Sequence, residues 1–116
     1  MEILGLVFAG SATDRRPEMA RFVADVLGLE PAPTGGVSAD MFALPDGAFF
    51  AVAGPRDAKR GATSRTIGFL VADLDAAVAE LQAAGVEVDE PAVNDRHRYT
   101  HFRAPDGKLY ELVEER

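Results

Sequence analysis

The stretch Arg103-Ala104-Pro105-Asp106-Gly107-Lys108-Leu109-Tyr110-Glu111-Leu112 reads as a tight turn running into a strand, and its opening has an earlier echo in Ala43-Leu44-Pro45-Asp46-Gly47. Proline presets φ at the first corner of a turn and glycine accepts the positive-φ position, so each Pro-Asp-Gly joins two strands as a hairpin. A second echo matches Ile3-Leu4-Gly5-Leu6-Val7 with Thr66-Ile67-Gly68-Phe69-Leu70. Such self-similarity marks a duplicated unit.

Between the members of each pair lies one helical pattern. Met19, Phe22, Val23, Val26 and Leu27 fall on one stripe of a helix over about 16–27, with Asp14 as N-cap, Pro17 in the first turn and Gly28 as the stop. Leu74, Val78 and Leu81 repeat the stripe between an Asp73 cap and a Gly85 stop. Phe22 and Leu81 are expected to be buried, and Phe22→Ala to cost roughly 3–5 kcal/mol. Strands are expected over about 3–9, 37–44, 48–53, 66–71, 86–89, 98–104 and 109–114, with a short one near 30–33. The aperiodic segment Gly54–Ser64 reads as a linker. The fold class is therefore α+β: two tandem βαβββ modules, about 1–54 and 65–116, within one domain, forming curved mixed sheets around a cavity.

A chain of 116 residues, 47% hydrophobic and 27% charged, has the make-up of one globular domain with its own core. It has no cysteine, which excludes disulfides and thiolate metal sites. A net charge of −7 argues against a nucleic-acid partner, which demands a basic face. No apolar run approaches membrane-spanning length, and the start of the chain lacks the basic opening of a signal peptide, so the expected setting is the cytoplasm, with no membrane partner.

The element order, the paired Pro-Asp-Gly hairpins, Asp25-Val26-Leu27-Gly28-Leu29 closing the first helix, Val71-Ala72-Asp73-Leu74-Asp75 opening the second, and the ending through Glu111-Leu112 resemble the vicinal oxygen chelate superfamily of glyoxalases, bleomycin-resistance proteins and extradiol dioxygenases. The resemblance implies a cavity, and in metal-dependent members a divalent ion held by one first-strand and one last-strand residue of each module. Carried onto this chain, those positions are Ile3 and Ala51 in the first module and Thr66 and Glu111 in the second. Only Glu111 is a good ligand, so no cofactor is expected and a divalent metal is disfavoured.

Strand parity adds a second line of reasoning. His97, Tyr99, His101 and Arg103 share one face of their strand, and Glu111 shares it from the next. The plainer alternative is a solvated face with an Arg103–Glu111 ion pair. The matching face of the first module offers Met41, Ala43, Phe49 and Ala51. The expected ligand-binding residues are Tyr99, His101, Arg103, Glu111, Met41, Phe49 and Thr66, and the ligand is a small organic molecule. The leading expectation is metal-free sequestration of a drug or metabolite. The alternative is a lyase, isomerase or epimerase with Glu111 or His101 as catalytic acid/base, Arg103 steadying an enolate. A homodimer is expected, on family habit and on an edge-strand reading of Ile3, Leu4 and Leu6.

Overall fold

The computed structural model describes residues 1–54 and 63–116. The elements run β1 (Gly5–Thr13), α1 (Arg16–Arg21), β2 (Glu30–Ala32), β3 (Asp40–Ala43), β4 (Phe49–Ala53), β5 (Thr63–Leu70), α2 (Leu74–Ala83), β6 (Ala92–Val93), β7 (His97–Arg103) and β8 (Leu109–Glu115). This is β-α-β-β-β twice, an α+β fold. Most of the expected linker lies outside the described residues.

Contacts divide the chain into two units, Phe8–Arg65 and Met1–Val7 with Thr66–Arg116. In the former the strands lie in the order β2-β3-β4-β1, with β4 antiparallel to β3 and parallel to β1. In the latter they lie β5-β8-β7-β6, with β8 parallel to β5 and antiparallel to β7. Each sheet is therefore mixed. The two hairpins are built alike. Gly47 and Gly107 take φ of 90° and 79°. Leu44 N donates to Ala48 O (2.9 Å) and Ala104 N to Lys108 O (3.0 Å). The Asp side chain in the turn accepts from the residue two ahead, Ala48 N at 3.0 Å and Lys108 N at 2.9 Å.

Each helix covers one face of its sheet. Under α2, Leu74, Ala77, Val71 and Leu112 are buried, with Phe69, Val78, Leu81 and Phe102 packed on them. Asp73 caps that helix as expected, accepting from Ala76 N at 3.0 Å. Glu114 reaches across from β8 to accept from Leu74 N at 2.7 Å, satisfying a second amide of the first turn. Under the first helix, Val23, Phe42 and Val52 are buried, with Met19, Ala20, Ala24 and Leu29 beside them.

That stripe differs from the expected one. Phe22 is 45% exposed, Val26 70% and Leu27 55%. The helix continues past Arg21 as a π-turn over Phe22–Val26, closed by Leu27 N to Phe22 O. A π-turn holds more residues than an α-turn, so Val26 and Leu27 swing off the inward side. The inward positions are Met19, Ala20, Val23 and Ala24, a stripe that two alanines conceal in the sequence. Asp14 is not the cap: the position falls to Arg15, with no side-chain bond. The expected strand at 86–89 makes only an isolated bridge, Val88 with Phe102, and regular pairing begins at Ala92. Pro91 between them has no N–H for a ladder.

The register also revises the repeat. Gly10 pairs with Ala51 across β1 and β4, and Gly68 pairs with Glu111 across β5 and β8. Gly10, not Gly5, is thus the counterpart of Gly68, and Phe8, not Ile3, is the counterpart of Thr66. Chain spacing agrees: Gly10 stands six residues before α1 and Gly68 six before α2, whereas Gly5 stands eleven before. Nor does the opening segment form a free edge. Leu4 N donates to Leu70 O at 2.8 Å, and β1 pairs with β4 further on.

Candidate functional site

Alternation places two different surfaces on β7 and β8. Thr100, Phe102, Tyr110 and Leu112 face α2, where Phe102 and Phe69 stack against Tyr110 with centroids 5.9 and 6.2 Å away. Tyr99, His101, Glu111 and Val113 take the other face. There His101 and Glu111 are direct cross-strand partners. His101 Nε2 lies 2.9 Å from Glu111 Oε2, and the two residues are 8% and 6% exposed. The Tyr99 ring meets the His101 ring edge-on, centroids 6.0 Å apart at 81°. Gly68 stands beside Glu111 in β5 and puts no side chain next to the carboxylate, while Thr66 lies two residues back on the same face.

Arg103 departs from expectation. Its strand partner is Leu109, its Nη1 donates to Gly107 O at 2.9 Å, and its Nε lies 4.0 Å from Glu87. It braces the hairpin, and the Arg103–Glu111 ion pair is not formed. His97 sits opposite Glu115 at the far end of the same face. Burial lowers its pKa; the nearby carboxylates of Glu115 and Glu111 work against that shift, and Arg96 adds to it.

The first module carries the same geometry with different chemistry. Met41 pairs with Ala51 just as His101 pairs with Glu111. Met41, Ala51 and Ala39 are buried together, with Phe8, Phe49 and Ala53 packed against them. Gly10 makes room for the Phe8 ring: a Cβ at that glycine would meet ring carbons at 3.1 and 3.2 Å. The sequence hides Phe8, because Gly5 lies in an apolar string that mimics the surroundings of Gly68 and only strand register singles out Gly10.

The family's metal positions, set by register, are thus Phe8, Ala51, Thr66 and Glu111. The first two donate nothing, Thr66 offers a neutral hydroxyl, and one oxygen of Glu111 is engaged by His101. Among the described residues no three His, Cys, Asp or Glu side chains are grouped so as to hold a metal. The donor set does not fit the family's metal.

The comparisons with known proteins agree with the fold. A methylmalonyl-CoA epimerase from Mycobacterium tuberculosis superposes with a TM-score of 0.76 at 22% identity, over 97% of this chain and 88% of that one. A methylmalonyl-CoA epimerase variant from Streptomyces coelicolor, in complex with 2-nitronate-propionyl-CoA, superposes with a TM-score of 0.74 at 26% identity, over 97% and 98% of the two chains. No curated protein sequence matches the chain. A family model matches residues 6–112, nearly the full length, and on that match the chain belongs to the Glyoxalase/Bleomycin resistance protein/Dioxygenase superfamily.

Proposed function

We propose that this chain binds a small carbonyl compound on the Glu111 face of its second module and moves a proton at the carbon beside that carbonyl, without a metal. The buried Glu111–His101 pair carries this reading. A carboxylate accepts the proton through one oxygen while an imidazole held at the other keeps it aimed. In the step, the α-carbon–hydrogen bond breaks, its electron pair forms the enolate, the charge moves to the carbonyl oxygen, and Glu111 holds the proton. Return of the proton to either face gives exchange or epimerisation. The similarity to epimerases, one of which is 26% identical and holds a CoA thioester analogue, supports an acyl thioester as the substrate class.

Sequestration without turnover is the second reading. The apolar group of Phe8, Met41, Phe49 and Ala51 favours it, because such side chains supply affinity and no chemistry. Either way the protein is taken to work in the cytoplasm as a homodimer. No described helix is long and apolar enough to cross a membrane.

Incubation with S-propionyl-N-acetylcysteamine in D2O, followed by NMR, tests the reading. Loss of the α-proton signal is expected, and Glu111→Gln should slow it by about 10²-fold or more. Saturable binding with no exchange would leave sequestration. A stoichiometric divalent ion in protein purified without chelator, lost in Glu111→Gln, would sink the metal-free reading.

A further inference from the structure

We infer that the Tyr99 hydroxyl, and not the Arg103 guanidinium, is the donor that receives the substrate's carbonyl oxygen; the inference rests on the proton-transfer reading above. Enolate formation moves negative charge onto that oxygen, and a positioned donor is what lowers the barrier. The donor must lie on the Glu111 face, near the pair, with its hydrogen uncommitted. Tyr99 meets these conditions, and it, rather than the hydroxyl-bearing Thr66 of the neighbouring strand, is in ring contact with His101. It is two residues from His101 on one strand, so it shares the face, about 7 Å along it. Its ring is braced edge-on against the imidazole at 6.0 Å. It is half-buried, which keeps the phenol near the pair and open to a ligand.

Among the described residues of β7 and β8, the other side-chain donors are engaged. Arg98 is held by Asp75 and Glu114, Thr100 donates to Asp89 O at 2.6 Å, and Arg103 donates to Gly107 O. Tyr110, the chain's other tyrosine, donates to Asp106 Oδ2 at 2.6 Å on the helix side. His97 and His101 have partners as well. The Tyr99 hydroxyl makes no hydrogen bond with any described residue. A half-buried phenol left so beside a buried carboxylate–imidazole pair is placed to serve a ligand.

Tyr99→Phe keeps the ring and its contact with His101 and removes the hydroxyl alone. Two readouts separate the possibilities: α-proton exchange of S-propionyl-N-acetylcysteamine in D2O, and binding of the nitronate of nitroethane, an anionic enolate mimic. Tyr99→Phe is expected to fold with an unchanged melting temperature, slow exchange by about 10²–10³-fold and weaken the nitronate, with little change in KM for the thioester. In the wild type the nitronate should also shift the Tyr99 ring resonances. If Tyr99→Phe matches wild type in both readouts, or Arg103→Gln shows the loss instead, the assignment is overturned. Nitronate binding that depends on Tyr99 but comes without exchange would keep the donor and sink the proton-transfer reading. Exchange lost in Glu111→Gln and intact in Tyr99→Phe would sink the donor alone. A wild type that neither exchanges nor binds overturns both.

Discussion

Met41–Ala51 and His101–Glu111 stand at the same register in their two modules, so the chain contains its own control for what a buried polar pair contributes. A buried pair offsets a large desolvation cost, and breaking it from one side is worse than removing it. His101→Met alone should therefore cost roughly 3 kcal/mol, because it leaves the buried Glu111 carboxyl without its partner, while His101→Met with Glu111→Ala, which copies the first module, should be neutral or stabilising. Urea denaturation of the single and double variants checks this. His97 yields a pH prediction. Its folded pKa lies below its ordinary value of 6.5, so the unfolded chain takes up a proton that the folded chain resists. The contribution is fully present above that value and is lost as pH falls through the lowered one. His97→Gln should flatten the decline in urea midpoints as the pH falls below 6.5; an unchanged slope would assign the decline elsewhere. Parity made much of this scale legible, since alternation alone puts His101 and Glu111 on one face and Phe102 and Leu112 on the other. It could not show that Arg103 bends to the hairpin carbonyl, because a long flexible side chain is not held by the parity of its Cα.

The hairpins and α2 are the elements the sequence displays best, because their signals are local. Pro-Asp-Gly sets its own backbone, and Asp73 needs only the amide three residues on. The π-turn has no such signal, and it carries the chief error in the expected core. Val23 is 0% exposed and Phe22 45%, so the order of their costs reverses the expectation from periodicity. Val23→Ala should cost about 2 kcal/mol for the lost methyls and their cavity, and Phe22→Ala under about 1 kcal/mol. A larger loss at Phe22 than at Val23, read from denaturant midpoints at constant m, would mean that the α-helical stripe is the true one. The Glu114 cap is a longer-range device, joining β8 to the start of α2 forty residues earlier. Glu114→Ala should cost about 1 kcal/mol, the ordinary scale of a lost N-cap, with Arg98 losing one of its two acidic partners.

At the scale of the molecule, the duplicated architecture was readable and its internal alignment was not. Gly5 and Gly68 sit in similar apolar strings, whereas only hydrogen-bond register distinguishes Gly10 as the true counterpart. The same correction moves the basis of the expected dimer. Within their units β2 and β6 each lie at one end of the strand order, short and flanked or interrupted by Pro31, Pro33 and Pro91, which discourages edge pairing with another chain. The opening segment is paired through Leu4 and β1, so it has little backbone to offer a partner. It offers side chains instead. Ile3, Leu4 and Leu6 are 45%, 51% and 64% exposed, and Ile67 in the same unit is 41% exposed. Burying such groups against their own copies would remove apolar area from water on both sides at about 25 cal/mol per Å2, which favours face-to-face association over strand addition. Light scattering at micromolar concentration should then give twice the 12.4 kDa of one chain. Leu6→Lys, at the most exposed of the four, should return the mass to one chain without lowering the melting temperature extrapolated to low concentration. A wild-type mass of one chain would reject the dimer, and a dimer untouched by Leu6→Lys would place its interface away from this segment.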